Sequence, residues 1–158
     1  MGCELASWRE WDDGDGLPWA WADDPQHAGV RALVRDLNRL YRAQRALHQV
    51  DYQPTGFSWI DCDDGAHSII SLIRRAEMGA DEIVAVFNFT PLVREGYRMG
   101  VPRAGRYREL INTDAEVYGG GNVGNAGAIE TEAVPAQGHP QSLVLTLPPL
   151  AGLILKID

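Results

Sequence analysis

From about residue 56 to the end, the sequence is a succession of short runs rich in β-branched and aromatic residues, each closed by Gly, Pro, Asn or Asp. Runs of this length between turn-forming residues read as strands. The candidates are 57–60, 68–75, 83–89, 97–100, 106–110, 129–134, 142–147 and 153–157. Many short strands with turn signals between them imply an antiparallel β-sandwich. Asp63-Asp64-Gly65 between the first two is a hairpin signal in which the glycine is expected to supply the positive φ. The interval 113–128 is a long glycine-rich loop, and loops of that length either act or pack tightly.

A different texture precedes the strands. Asp24 is a good N-cap and Pro25 suits the first helical position, where its missing N–H costs nothing. Val30, Leu33, Val34, Leu37, Leu40 and Tyr41 then follow at i, i+3, i+4, i+7, i+10 and i+11, with Arg31, Arg35, Asp36, Arg39 and Arg42 on the other face. This spacing predicts an amphipathic helix with something large to lie against. Ahead of it, residues 1–24 alternate tryptophan with acid and show neither period, which reads as a loop with aromatic anchors.

Charge and cysteine limit the partners. Asp plus Glu number 22 against 14 Lys plus Arg, so the chain carries about -8. A chain this acidic repels a phosphate backbone, and no nucleic-acid partner is expected. Cys3 and Cys62 make no disulfide framework; two free, mostly buried thiols in a reducing cytoplasm are the simplest expectation. The first residues lack the charged and apolar regions of a secretion signal. The longest apolar stretches are too short to cross a bilayer, so no membrane is expected.

Several motifs have simple structural explanations. Gly119, Gly121 and Gly124 match G-x-G-x-x-G, but no amphipathic helix follows, so a structural loop is the better reading. Asp61, Asp63, Asp64 and Gly65 miss the spacing of a calcium loop, whose twelfth position here is Leu72. His27, His48, His67 and His139 are scattered and predict no metal site. No cofactor is expected. Gly56-Phe57-Ser58 lacks the closing glycine of a nucleophile elbow, and Asn88-Phe89-Thr90 is a glycosylation sequon within a predicted strand. The Trp/Asp/Arg lead is a plausible carbohydrate platform, since aromatic faces stack on sugar rings and flanking charges bond hydroxyls; pinning the loop to a core is the competing role.

An ordered set of motifs resembles one family. Met1-Gly2-Cys3-Glu4-Leu5 and Trp8-Arg9-Glu10-Trp11 are similar to the region after the last catalytic motif of glycogen branching enzymes (1,4-α-glucan branching enzymes, of the α-amylase superfamily). Val34-Arg35-Asp36-Leu37-Asn38-Arg39-Leu40-Tyr41 resembles the last barrel helix of that family. Gly56-Phe57-Ser58-Trp59-Ile60, Asn88-Phe89-Thr90-Pro91, Tyr118-Gly119-Gly120-Gly121-Asn122-Val123-Gly124-Asn125 and Ser142-Leu143-Val144-Leu145-Thr146-Leu147-Pro148-Pro149 continue the likeness in order. At Ala6-Ser7 the family commonly has Gly-Gln.

The resemblance implies a mainly β chain: an amylase-type C-terminal antiparallel β-sandwich at 47–158, preceded at 1–46 by the last strand, loop and helix of a (β/α)8 barrel. It implies the tail of an enzyme that cuts an α-1,4 glucan and rejoins the piece to a 6-hydroxyl with retention. That chemistry needs two carboxylates about 5 Å apart, which in the family lie on earlier barrel strands. The chain therefore holds no catalytic residue and is expected to be inactive alone. Barrel active sites lie at the C-terminal ends of the strands, so Glu4, Trp8, Arg9 and Trp11 are the candidate glucan-binding residues. The partners implied are α-glucan and the missing barrel, packed on Val30, Leu33, Val34, Leu37, Leu40 and Tyr41. The rival readings are a free-standing α-glucan-binding sandwich and the tail of another amylase relative, a maltosyltransferase or a trehalose-forming enzyme.

Overall fold

The computed structural model describes residues 2–9, 14–79 and 81–158. Among the described residues eight strands form: β1 Phe57–Asp64, β2 Ile69–Arg75, β3 Glu82–Asn88, β4 Arg94–Val101, β5 Arg106–Asn112, β6 Ala128–Glu130, β7 Gln141–Leu147 and β8 Ala151–Ile157. Each overlaps one of the eight runs read from the sequence, though β6 stops at Glu130 where its run was expected to continue to 134. They build a six-stranded antiparallel sheet, ordered β1-β2-β3-β8-β5-β6, and a two-stranded β4-β7 ribbon.

The period of two explains how the layers meet. Ile69 and Ile73 on β2, Val84 and Val86 on β3, Leu143, Leu145 and Leu147 on β7, and Leu153 and Leu155 on β8 share one buried cluster. Alternate side chains of a strand point to opposite faces, so each strand puts one set between the sheets. Tyr107 is 1% exposed, and its hydroxyl donates to the Arg103 carbonyl at 3.2 Å. Burial and the nearby Glu82 carboxylate push that hydroxyl up to about 12.

The β1-β2 hairpin is held differently from the sequence expectation. Gly65 does not take positive φ; Ser68 does, at 52°. The turn is longer than a two-residue one, and Asp64 closes it by accepting from the His67 backbone N–H at 3.2 Å and the His67 ring at 2.7 Å. Asp61 accepts from the Asp63 N–H at 2.9 Å. The acids that suggested a calcium loop are thus turn-formers.

The second oxygen of Asp64 accepts from the Tyr97 hydroxyl at 3.1 Å, which ties the hairpin to β4. Burial alone would raise the Asp64 carboxyl, but the bonds from His67 and Tyr97 outweigh it and hold it below the usual range. A depressed folded value stabilises above the unfolded one and is lost as pH falls. The stability difference between the native chain and Asp64→Asn is therefore expected to be full at pH 6 and to shrink below about pH 4. Urea midpoints across that range check it; a difference that stays constant would remove Asp64 as the cause.

The helix, α1, runs Pro25–Ala43, with the Asp24 carboxylate accepting from the Gln26 N–H at 2.9 Å as expected of the cap. Only His27 and Gly29 of α1 are buried. Gly29 lies against the carbonyl of Tyr118, where a Cβ would overlap the oxygen. The Tyr118 hydroxyl donates to Asp36 at 3.2 Å. At its other end, Gln44 accepts from Lys156 of β8 at 2.7 Å. The helix thus docks on the sandwich by a flank. Its apolar stripe stays half-buried from Val30 to Leu40, and Tyr41 is 48% exposed.

Two further expectations change. No strand lies ahead of Phe57 among the described residues; Cys3–Leu5 and Trp19–Asp23 are 3-10 turns. A lone strand has no partner for its backbone hydrogen bonds, and this chain supplies none there. Cys3 and Cys62 are both exposed, against the expectation of buried thiols. Cys62 sits on β1, an edge strand of the larger sheet. No helix among the described residues is long and apolar enough to cross a membrane.

Candidate functional site

The lead segment reaches its position through a few anchors. Cys3–Leu5 is a single 3-10 turn between Gly2, at φ 82°, and Ala6, at φ 48°. Leu5 is fully buried, while Glu4, Trp8 and Arg9 on the same segment are exposed. Trp8 is 77% exposed. The Ser7 hydroxyl accepts from the Arg9 N–H at 3.2 Å, and the Arg9 guanidinium donates to Asp15 at 3.2 Å. Trp11 lies outside the described residues. Three of the four sequence candidates therefore share one exposed segment. An open indole beside a carboxylate and a guanidinium can stack on a pyranose ring and bond its hydroxyls.

The sequence reading missed His27, grouped there with three scattered histidines. It is 5% exposed, and its Nδ1 lies 2.6 Å from the Leu5 carbonyl oxygen. Trp21 stacks on its ring, with centroids 5.2 Å and planes 18° apart; Trp8 meets it edge-on at 5.7 Å and 86°. Nothing in the spacing marks this histidine, because its partners lie up to 22 residues away.

The carboxylates with shifted acidity serve structure. Asp36 is held below its usual value first by the hydrogen bond from Arg35, with Tyr118 and Arg39 adding to it. Asp64 is occupied by His67 and Tyr97. Structural ion-pair networks shift acidity as active sites do, and these two belong to turns and docking flanks. Among the described residues no three His, Cys, Asp or Glu side chains come together as a metal cluster.

The glycine-rich loop is likewise satisfied from within. Asp114 accepts from the Gly121 and Val123 N–H groups, both at 2.9 Å. Glu109 accepts from those of Asn125 at 3.2 Å and Gly127 at 3.1 Å. A phosphate-binding loop offers free N–H groups to an anion; here two carboxylates already hold four of them. Beside the loop lies a cavity of about 330 Å³, lined by Glu109, Asn112, Asn122 and Asn125 among others. Asn88 of the sequon is 2% exposed and donates to the Leu92 and Pro148 carbonyls, so it is a buried strand-end tie.

Comparison with known proteins gives this arrangement a family. Residues 59–158 match the alpha amylase C-terminal all-beta domain. The 1,4-alpha-glucan branching enzyme of Cupriavidus necator is 54% identical over 159 residues, covering 100% of this chain and 21% of that protein. The branching enzyme of Rhodospirillum rubrum is 51% identical over 100% of the chain, and that of Thiobacillus denitrificans 50% over 99%, each across 21% of its own length. The chain thus spans about a fifth of the length of these relatives. The identity also covers residues 1–58, ahead of the all-β domain, so lead and sandwich occur together in the relatives; this favours the branching-enzyme reading over a free-standing module. Along its whole length the chain is similar to the C-terminal part of 1,4-alpha-glucan branching enzymes, and by the domain it carries over residues 59–158 it belongs to the alpha amylase C-terminal all-beta domain family.

Proposed function

We propose that the chain serves as the C-terminal part of a branching enzyme, one that cuts an α-1,4 glucan and rejoins the cut piece through an α-1,6 bond. Residues 1–46 complete the catalytic barrel, and 47–158 form the sandwich behind it. Val30, Leu33, Val34, Leu37, Leu40 and Tyr41 pack on the rest of the barrel, which holds the catalytic carboxylates. Glu4, Trp8, Arg9 and Trp11 border the glucan cleft and contact sugar without taking part in bond cleavage. The setting is the cytoplasm, where glucan stores are built, and no cofactor is required.

The observation that carries this reading is the half-buried apolar stripe of α1, ending at the exposed Tyr41, on a chain matched from end to end by branching enzymes. A soluble domain rarely leaves such a stripe open without a partner for it. Joined behind the catalytic part of the Cupriavidus necator relative in place of its matching segment, the chain is expected to give an enzyme that forms α-1,6 branches. The chain alone is expected to form none. In the joined enzyme, Trp8→Ala is expected to raise KM for amylose roughly 5-fold, the equivalent of about 1 kcal/mol of lost ring stacking. A folded but inactive joined enzyme, or branching by the chain alone, would overturn the proposal.

A further inference from the structure

We infer that His27 is the positioning residue of the glucan-facing segment, holding Glu4, Trp8 and Arg9 in place through one hydrogen bond and one ring. This rests on the reading of that segment as an edge of the glucan cleft.

Among the described residues, the segment is otherwise oriented by local hydrogen bonds and by Gly2 lying against the Leu17 side chain. Its own hydrogen bonds are local: Leu5 N–H to Gly2, Ala6 N–H to Cys3, Arg9 N–H to Ser7. The Arg9–Asp15 pair lies on the surface, with both side chains more than two-thirds exposed, and contributes little to fixing a conformation. Among the described residues, Leu5 connects the segment to a rigid element: its side chain is buried and its carbonyl meets the His27 ring.

The geometry determines the chemistry at that ring. A carbonyl oxygen only accepts, so Nδ1 carries the proton and donates. The same ring meets Trp8 in a T-shaped contact and stacks on Trp21. One imidazole therefore holds the backbone at Leu5 and the indole at Trp8, the chain neighbours of Glu4 and Arg9. His27 stands in the first turn of α1, which the Asp24 cap and Pro25 make rigid. A leucine in its place would fill the space but leave the Leu5 carbonyl buried without a donor. Asparagine places its Nδ2–H close to where Nδ1–H sits and keeps the donor.

The test reads amide exchange on the 158-residue chain and binding of maltoheptaose, the glucan probe, on the joined enzyme. His27→Leu is expected to speed amide exchange at Leu5 and Ala6 at least tenfold while the sandwich amides stay protected. It is also expected to weaken maltoheptaose binding, followed through the Trp8 indole N–H signal, at least fivefold. His27→Asn should restore most of both. Unchanged exchange at Leu5 in His27→Leu would overturn the inference, as would failure of His27→Asn to rescue. If Trp8→Ala weakens maltoheptaose binding and His27→Leu does not, the segment faces glucan but His27 does not position it. If wild type shows no binding, or Trp8→Ala leaves binding unchanged, the cleft-edge reading itself falls and the inference with it.

Discussion

The isolated chain is expected to self-associate in solution through α1. Val30, Leu33, Val34, Leu37 and Leu40 are only half-buried, and Tyr41 is 48% exposed. They form one stripe because residues three and four apart share a helix face. The helix is anchored beside that stripe by Gly29 and Asp36 at Tyr118, so it cannot simply rotate the stripe inward. Two copies burying it against each other gain at roughly 25 cal/mol per Å², and the cost of association offsets most of the gain. A dissociation constant in about the micromolar range is the expected result. Light scattering across concentrations should show the mass rising, and Leu33→Asp with Leu37→Asp should return it to 17.4 kDa. A native chain that stays monomeric at millimolar concentration would remove the argument that this face awaits a barrel.

Leu145→Ala is expected to lower the unfolding free energy by about 3 kcal/mol, within the range for buried leucines, and Tm by roughly 10 °C. Leu145 is fully buried on β7, in the cluster shared by both sheets. The ribbon has two strands only, so its inward side chains carry most of what holds it to the larger sheet. Val134, 42% exposed, is the matched control, and Val134→Ala should cost less than about 0.5 kcal/mol. Urea unfolding with unchanged slope decides between them. A loss below about 1 kcal/mol for Leu145→Ala would mean that the ribbon is not seated on the core as described.

Much of the fold was legible because its signals are local. The strands were readable as short β-forming runs bounded by turn formers, as in residues 142–147 before Pro148-Pro149. The helix start was readable because the Asp24 cap and Pro25 act on the first turn whatever the rest of the chain does. The lead was read as a loop whose tryptophans either pin it to a core or face sugar; the structure leaves Glu4, Trp8 and Arg9 exposed. The hairpin misled, since Gly65 was the natural candidate for positive φ and Ser68 took it. A turn closed by a side chain obeys that side chain's reach, and Asp64 reaches His67.

The sequence by itself determined the order of the strands, the amphipathic stripe of α1 and the family resemblance. All of these follow from spacing and residue type along the chain. Only the tertiary structure decided that α1 docks by Gly29 with its stripe left open, that Asp64 joins the hairpin to Tyr97, and that His27 lies between two tryptophans under the Leu5 carbonyl. Each of these depends on groups from 6 to 89 residues apart meeting within hydrogen-bond or contact distance. A hydrogen bond is decided within a few tenths of an ångström. Periodicity in a sequence says which face a residue takes, and it says nothing at that scale about what the face will meet.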